Sequence, residues 1–129
     1  MARRRPRPTE AELAILGVLW ANGPSTVRQV HDALVGLRDT GYTTSLKLLQ
    51  IMADKGLVRR DASARTHVYA ARVSREDTQR QLVNDLVDRA FGGSATALVL
   101  QALHAHPVSA GELAEIQRLI KAYKERSST

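Results

Sequence analysis

The chain has 129 residues and a formal net charge of +6, with 43% hydrophobic residues, 4% aromatic residues and no cysteine. This composition is typical of a globular protein of one domain or two small ones, and it excludes disulfides and thiolate metal sites. Because cysteine is absent and no apolar run approaches the roughly 20 residues of a transmembrane helix, we expect a cytoplasmic protein without membrane insertion.

The positive charge is concentrated in the first half of the chain. Residues 1–72 contain 12 lysines and arginines against 6 acidic residues, whereas residues 73–129 contain 7 of each. This asymmetry indicates a basic functional module joined to a charge-balanced one, and nucleic acid is the favoured polyanionic partner. A basic domain without such a partner is the alternative at this stage.

The first residues predict a basic arm (1–8) and two helices. The arm, MARRRPRP, has no apolar segment behind it and is therefore not a secretory signal. Capping-box patterns open both helices, and Asn22-Gly23-Pro24 ends the first. The capping pairs are Thr9 with Glu12 and Thr26 with Gln29. Apolar residues expected on one side are Leu13, Leu16, Val18 and Trp20 in the first helix, and Val27, Val30, Ala33, Leu34 and Leu37 in the second.

Residues 43–55 predict a third helix with two unlike faces. At 100° per residue, one arc holds Leu46, Leu48, Leu49, Met52 and Ala53, and the opposite arc holds Thr43, Lys47, Gln50 and Asp54. Thr44 and Ile51 lie at the edge between the arcs, and Gly56 stands where a left-handed C-cap belongs.

Residues 57–60 and 67–70 predict two strands joined by a hairpin tip at 61–66. Three helices followed by a hairpin over residues 9–72 predict a winged helix-turn-helix. The expected fold is mainly α with a small β-hairpin wing (α+β).

From Ser74 onward the pattern is purely helical, and residues 73–126 predict three helices separated by Gly92-Gly93 and Pro107. Three short helices with broad apolar stripes bury little surface alone, so we expect them to form a dimerisation domain by packing against a second copy. An intramolecular lobe packed on the first module is the alternative. The residues expected in the interface are Leu82, Leu86, Phe91, Leu98, Leu113, Ile116 and Ile120.

Motifs along nearly the whole chain make it similar to a known family. These are TEAELAILGVLW, VRQVHDAL, YTTSLKLLQIMADKGLV, RTHVYAA and the tail that starts at DLVDRAFGG. In this order they resemble the penicillinase-repressor (BlaI/MecI/CopY) family of transcriptional regulators. The resemblance implies a homodimeric repressor that binds a palindromic operator in double-stranded DNA until an upstream signal removes it.

The polar arc of the third helix is the predicted base-reading surface, because a recognition helix lies in the major groove with its N-terminal residues nearest the bases. Thr43 and Thr44 suit phosphates or thymine methyl groups, Lys47 suits guanine or phosphate, and Gln50 suits adenine. This sequence departs from the common family form at three positions. Lys47 stands where threonine is frequent, Ser45 where an aliphatic residue is usual, and Ile51 where arginine is common.

The hairpin is expected to lie along the DNA backbone, with Arg59, Arg60, Arg65 and His67 as its candidate contacts. Side chains alternate along a strand, so Arg59 and Arg60 cannot face the same side; one is expected to face solvent or pair with an acid. The arginines of the arm (3–7) suit an adjacent minor groove, or the arm serves only solubility.

The sequence predicts neither an enzyme nor a cofactor site. His31 stands alone, and His104 with His106 supplies only two metal ligands. In the antibiotic-resistance members of the family, a protease linked to a membrane sensor cuts an Asn-Phe bond in the tail. Gln101 and Ala102 occupy the corresponding positions here, which leaves open whether an upstream sensor or protease acts on this chain. Two other functions compete with a specific repressor: a winged-helix protein–protein interaction module and a nonspecific DNA-binding protein.

Overall fold

A computed structural model describes residues 7–37, 41–63 and 65–127 of the chain. Residues 1–6 of the predicted arm, residues 38–40 of the loop before the third helix and Ala64 of the hairpin tip lie outside these residues. The chain divides into two compact units, one ending at Val83 and the other beginning at Asn84. The elements are α1 (Glu10–Asn22), β1 (Ser25–Thr26), α2 (Val27–Leu34), α3 (Tyr42–Lys55), β2 (Val58–Asp61), β3 (Val68–Ala71), α4 (Arg75–Ala90), α5 (Ala95–Ala105) and α6 (Ala110–Ser127).

Helix α1 begins at the predicted capping box. The Glu12 N–H donates to Thr9 Oγ1 at 3.2 Å, and the Thr9 N–H donates to Glu12 Oε1 at 2.8 Å. The helix ends at Gly23, whose φ of 80° is costly for residues with a Cβ. Its buried apolar residues are Ile15, Leu16, Val18 and Leu19, whereas Leu13 and Trp20, both predicted on the apolar side, are half-buried.

Helix α2 also begins at its predicted capping box, where the Gln29 N–H donates to Thr26 Oγ1 at 3.1 Å. The helix is shorter than the periodicity predicted. It ends at Leu34, and the Leu37 N–H donates to Leu34 O at 2.8 Å in a tight turn. Leu37 is consequently 78% exposed and Ala33 is exposed, so the prediction that both lie on the apolar side was wrong.

The hairpin forms with both strands one residue later than predicted. Leu57, predicted in the first strand, is buried just before it. A third strand, β1, joins it in the antiparallel order β1-β3-β2. Tyr69 of the central strand β3 pairs with Ser25 of β1 on one side and with Arg60 of β2 on the other. Two residues carry no strand signal by themselves, so β1 was not predicted.

The core of the first unit lies between α1, α2, α3 and the sheet. Tyr69, Ile15, Leu16, Leu49 and Met52 are among its largest fully buried side chains. Three helices and an antiparallel hairpin around one core constitute a winged helix-turn-helix, as the order of elements predicted.

Helix α4 begins in the first unit and ends in the second. The Trp20 Nε1–H donates to Val73 O at 2.9 Å, and the Arg75 guanidinium lies 5.8 Å from the Trp20 ring centroid. Thr78 is buried, and its hydroxyl donates to Ser74 O at 2.8 Å. The unit division therefore falls within α4, after the boundary predicted at residues 72 and 73.

The second unit is helical, as predicted. Gly92 and Gly93 have φ values of 59° and 85° and separate α4 from α5, while Ser94 Oγ accepts from the Ala97 N–H at 3.0 Å. No described residue of α5 or α6 is buried. Among the residues that the structure describes, no helix has the length and apolar character needed to cross a membrane.

Candidate nucleic-acid interface

The exposed face of α3 carries the predicted base-reading side chains. Ser45, Leu49 and Met52 are fully buried against the core, which turns the opposite side of the helix to solvent. All four candidates, Thr43, Thr44, Lys47 and Gln50, are exposed on that side, together with Ile51 and Asp54. The helix therefore presents hydroxyl, ammonium and amide groups along one exposed surface.

A partly buried ion pair holds the end of α3 against the start of α1. Lys55 Nζ donates to Glu12 Oε1 at 3.0 Å and to Oε2 at 2.9 Å, and the Glu12 side chain is only 2% exposed. Burial raises the pKa of Glu12, but the hydrogen bonds from Thr9 and Lys55 and the charge of Lys55 outweigh it. The net result is a pKa below the ordinary value. The carboxylate thus stays charged at neutral pH.

The two strand arginines point to opposite sides of β2. Val58 is buried, and alternation places Arg60 on the same side, towards α3. There Arg60 lines a groove of about 460 Å³ with Gln50, Ala53, Asp54 and Tyr69.

Arg59 lies on the other side of β2, beside Asp61. Hydrogen bonds from Ser63, whose N–H donates to Asp61 Oδ1 at 2.9 Å, lower the pKa of Asp61, and the Arg59 charge lowers it further. Arg60 is therefore the strand arginine beside the exposed surface of α3, while Arg59 neighbours an acid.

The hairpin tip lies beside the start of α3. Arg65, Thr66 and His67 are exposed, and they line a cleft of about 280 Å³ whose other residues belong to α2 and α3. Those residues are Val27, Tyr42 and Leu46. The structure thus brings two predicted hairpin residues, Arg65 and His67, next to the N-terminal end of the candidate recognition helix.

Tyr42, which lines this cleft, contacts Arg28 of α2, and neither residue was predicted from the sequence. The Arg28 guanidinium lies 5.0 Å from the centroid of the Tyr42 ring, and the His31 ring meets Tyr42 edge-on at 5.9 Å with an interplanar angle of 78°. Arg28 and Tyr42 are 14 residues apart on different helices. The only sequence signal was that each stands at the start of its helix.

The predicted interface residues of the tail divide into two groups. Leu86, Leu113 and Ile120 are 50%, 42% and 58% exposed. Leu82, Phe91, Leu98 and Ile116 are half-buried. The helices leave further large apolar side chains exposed: Val83, Val99, Leu100, Leu119 and Tyr123.

The two histidines of the tail lie at the end of α5. His104 is in the last turn of α5 and His106 is its C-cap residue. Within the described part of the chain, no three histidine or acidic residues come together in a way that could hold a metal ion.

Comparison with known proteins identifies the family. A family model described as penicillinase repressor matches residues 8–122. The chain belongs to the penicillinase repressor family. It is 39% identical over 93 residues to the transcriptional regulator BlaI of Mycobacterium tuberculosis strain H37Rv, a stretch that covers 70% of this chain and 67% of that protein. It is 21% identical over 124 residues to the penicillinase repressor of Bacillus licheniformis, covering 96% and 97% of the two chains.

Solved structures of this family share the fold of the first unit. The solution structure of monomeric Bacillus licheniformis BlaI in complex with the blaP half-operator matches with a TM-score of 0.51 and 21% identity. The match covers 59% of this chain and 93% of the other. A solution structure of the DNA-binding domain of the repressor BlaI matches equally well. The first unit therefore has the winged-helix fold of penicillinase repressors.

Proposed function

We propose that this penicillinase-repressor family member is a sequence-specific transcriptional repressor that binds a palindromic operator as a homodimer. The observation that carries the proposal is the exposed polar face of α3 beside a hairpin with three arginines. Binding and not catalysis is the proposed activity, and no cofactor is assigned.

In the proposed complex, α3 enters the major groove. Thr43 and Thr44, in its first turn, offer hydroxyl groups to phosphates and methyl groups to thymine, while Lys47 donates to guanine or to a phosphate. Gln50 lies a turn further along and offers the paired donor and acceptor that adenine requires. A helix retained only for packing would not need this set on its exposed side.

The hairpin supplies contacts to the DNA backbone. Arg60 points towards α3, and Arg65 and His67 lie beside the start of that helix. We therefore assign phosphate contacts to these three residues. Arg59 lies beside Asp61, and we expect a smaller contribution from it because the carboxylate offsets its charge. The solved complex of Bacillus licheniformis BlaI with its half-operator supports DNA as the partner.

Homodimerisation is proposed through the tail helices. Their exposed leucines and isoleucines are arranged in stripes that a second copy would cover, which is the arrangement expected of an obligate interface. Two joined protomers would carry two copies of α3, and operator palindromy would mirror that two-fold symmetry.

Relief of repression is proposed to come from an upstream signal, through a sensor or a protease. Gln101 and Ala102, which take the place of the family's Asn-Phe pair, are both exposed in α5. A protease that acts here would therefore need a different sequence preference.

Footprinting on the DNA upstream of the gene for this chain tests the proposal. We expect protection of an inverted repeat whose half-site centres are about 10 base pairs apart or a multiple of that spacing. Uniform coverage would instead indicate a nonspecific DNA-binding protein. No protection at any concentration would contradict the proposal and favour a protein–protein interaction module.

A further inference from the structure

Arg28 is an exposed cation held in a defined orientation. Its guanidinium stacks over the Tyr42 ring at 5.0 Å, and it makes no ion pair with any residue in the described part of the chain. Asp32, one helical turn further along α2, forms no ion pair with it either. The guanidinium can therefore offer N–H donors to a ligand, while stacking restricts the side chain to few conformations.

Tyr42 is restrained as well. His31 meets the ring edge-on at 5.9 Å, and Arg28 covers one face. Tyr42 is nevertheless 42% exposed, and it forms one wall of the cleft of about 280 Å³ beside the hairpin tip. The ring thus supports the guanidinium and also lines the cleft.

The side chains around this cleft are suited to an anion. Arg65, Thr66 and His67 of the hairpin line it together with Tyr42 and the apolar residues Val27 and Leu46, and no carboxylate is among the described lining residues. Guanidinium groups bind phosphate oxygens in a bidentate manner, and hydroxyl groups donate to the remaining oxygens.

We propose that Arg28, oriented on Tyr42, and Arg65 with Thr66 together bind one phosphate of the DNA backbone, next to the base pairs that Thr43 and Thr44 reach. This inference rests on the proposed function and adds a backbone site shared by α2, α3 and the hairpin. Because the site contacts phosphate alone, it raises affinity for any duplex and positions α3 without reading sequence.

The substitution Arg28→Met tests the site, because methionine keeps much of the side-chain length and removes the charge. We expect roughly tenfold weaker binding both to the footprinted duplex and to a mixed-sequence duplex, with an unchanged ratio between them. The slope of log affinity against log salt should fall by about 0.9, the value of one phosphate contact. Arg89→Met, at an exposed position of α4, is the matched control and should leave the slope unchanged.

Two substitutions at Tyr42 test the role of the ring. Tyr42→Leu removes the support of the guanidinium and should reproduce most of the affinity loss of Arg28→Met, whereas Tyr42→Phe keeps the stack and should lose less. Thermal unfolding of each variant shows whether the fold is retained. One outcome would overturn the inference: Tyr42→Leu has a lower Tm, but both Tyr42→Leu and Arg28→Met bind DNA with unchanged affinity. The stack of Arg28 on Tyr42 would then have a purely structural role.

Titration of the protein with inorganic phosphate distinguishes a backbone site from a site for a free anion. We expect no saturable binding at millimolar phosphate in the absence of DNA. If the protein binds inorganic phosphate tightly and Arg28→Met abolishes that binding, the inference is overturned, and the site would instead bind a small anionic effector. If the unmodified chain binds no duplex, the proposed function fails. If the unmodified chain binds a duplex and Arg28→Met binds it equally well with the same salt slope, only the inference of a phosphate site fails.

Discussion

The hydroxyl of Ser45 is buried in the core without a hydrogen-bond partner among the described residues. A buried hydroxyl that lacks a partner loses its bonds to water without compensation. Ser25 offers a contrast, since its buried hydroxyl donates to Gly23 O at 2.8 Å. The same side chain thus stabilises the fold at one position and destabilises it at the other.

Ser45→Ala is therefore expected to raise the free energy of unfolding by about 1 kcal/mol, because it removes the unpaired hydroxyl and favours the helix. Ser25→Ala, the matched control, should lower it by about 1 kcal/mol through loss of a hydrogen bond. Urea denaturation followed by circular dichroism measures both. A loss of stability in Ser45→Ala equal to that in Ser25→Ala would show that the Ser45 hydroxyl has a partner.

Lys47 is the exposed cation in the middle of α3, on the surface proposed to enter the major groove. We expect Lys47→Ala to weaken operator binding roughly tenfold or more and to change either the base preference or the salt slope. Gel-shift titrations at several salt concentrations, with Lys121→Ala in the tail as the control, measure both. Unchanged affinity and slope would exclude Lys47 from the interface.

At the scale of elements, the position of α3 depends on both ends of the helix. Its N-terminal residue Tyr42 contacts Arg28 and His31 of α2, and its C-terminal residue Lys55 donates to the buried Glu12 of α1. Leu49 and Met52 anchor the middle of the helix in the core. A helix held at three places has little freedom to tilt, which favours accurate placement in a groove.

We expect Glu12→Gln to destabilise the chain by about 2–3 kcal/mol at pH 7, because it leaves the Lys55 ammonium half-buried without its counter-charge. The folded pKa of Glu12 lies below its ordinary value of 4.5, so its contribution is complete above that value and is lost as the pH falls through the folded pKa. The stability difference between the two proteins should therefore shrink in acid. Urea titrations between pH 7 and pH 3 measure it.

The exposed pair of Glu115 with Arg118 provides the control. Glu115→Gln should have little effect at any pH, because exposed pairs contribute little to stability. A Glu12→Gln protein as stable as the parent at pH 7 would contradict the role assigned to the ion pair.

At the scale of the whole molecule, the two units differ in how they bury apolar surface. The first unit encloses a core of its own, with Ile15, Leu16 and Met52 fully buried, whereas α5 and α6 contain no buried residue among those described. Exposed stripes of this extent are unfavourable for a protomer in water. A second copy is the simplest surface to cover them.

The chain, of 14.2 kDa, is accordingly expected to sediment at twice that mass at micromolar concentration. Ile120→Glu should shift it to the protomer with little change in helicity, since Ile120 is already 58% exposed within one chain. Ala114→Glu, on the opposite face of α6, should leave the dimer intact. Sedimentation velocity measures all three, and a parent protein that sediments as a single protomer would contradict the proposed homodimer.

Much of the fold was predictable because its signals are local. Thr9 with Glu12 and Thr26 with Gln29 form their capping boxes, and Gly56 adopts the left-handed cap that the end of α3 requires. The exposed polar face of α3, with Thr43, Lys47 and Gln50, followed from helical periodicity. Periodicity failed at Leu37, where a tight turn ended the helix early, and it did not detect β1, whose existence depends on its partner strand.

The sequence by itself determined the order of elements, their caps and the exposed polar face of α3, because these depend on residues three or four positions apart. Only the tertiary structure decided that Arg28 stacks on Tyr42, that Glu12 pairs with Lys55 across 43 positions, and that Arg60 rather than Arg59 points towards α3. Contacts between distant residues follow from how the helices and sheet pack around one core, and no local spacing encodes them.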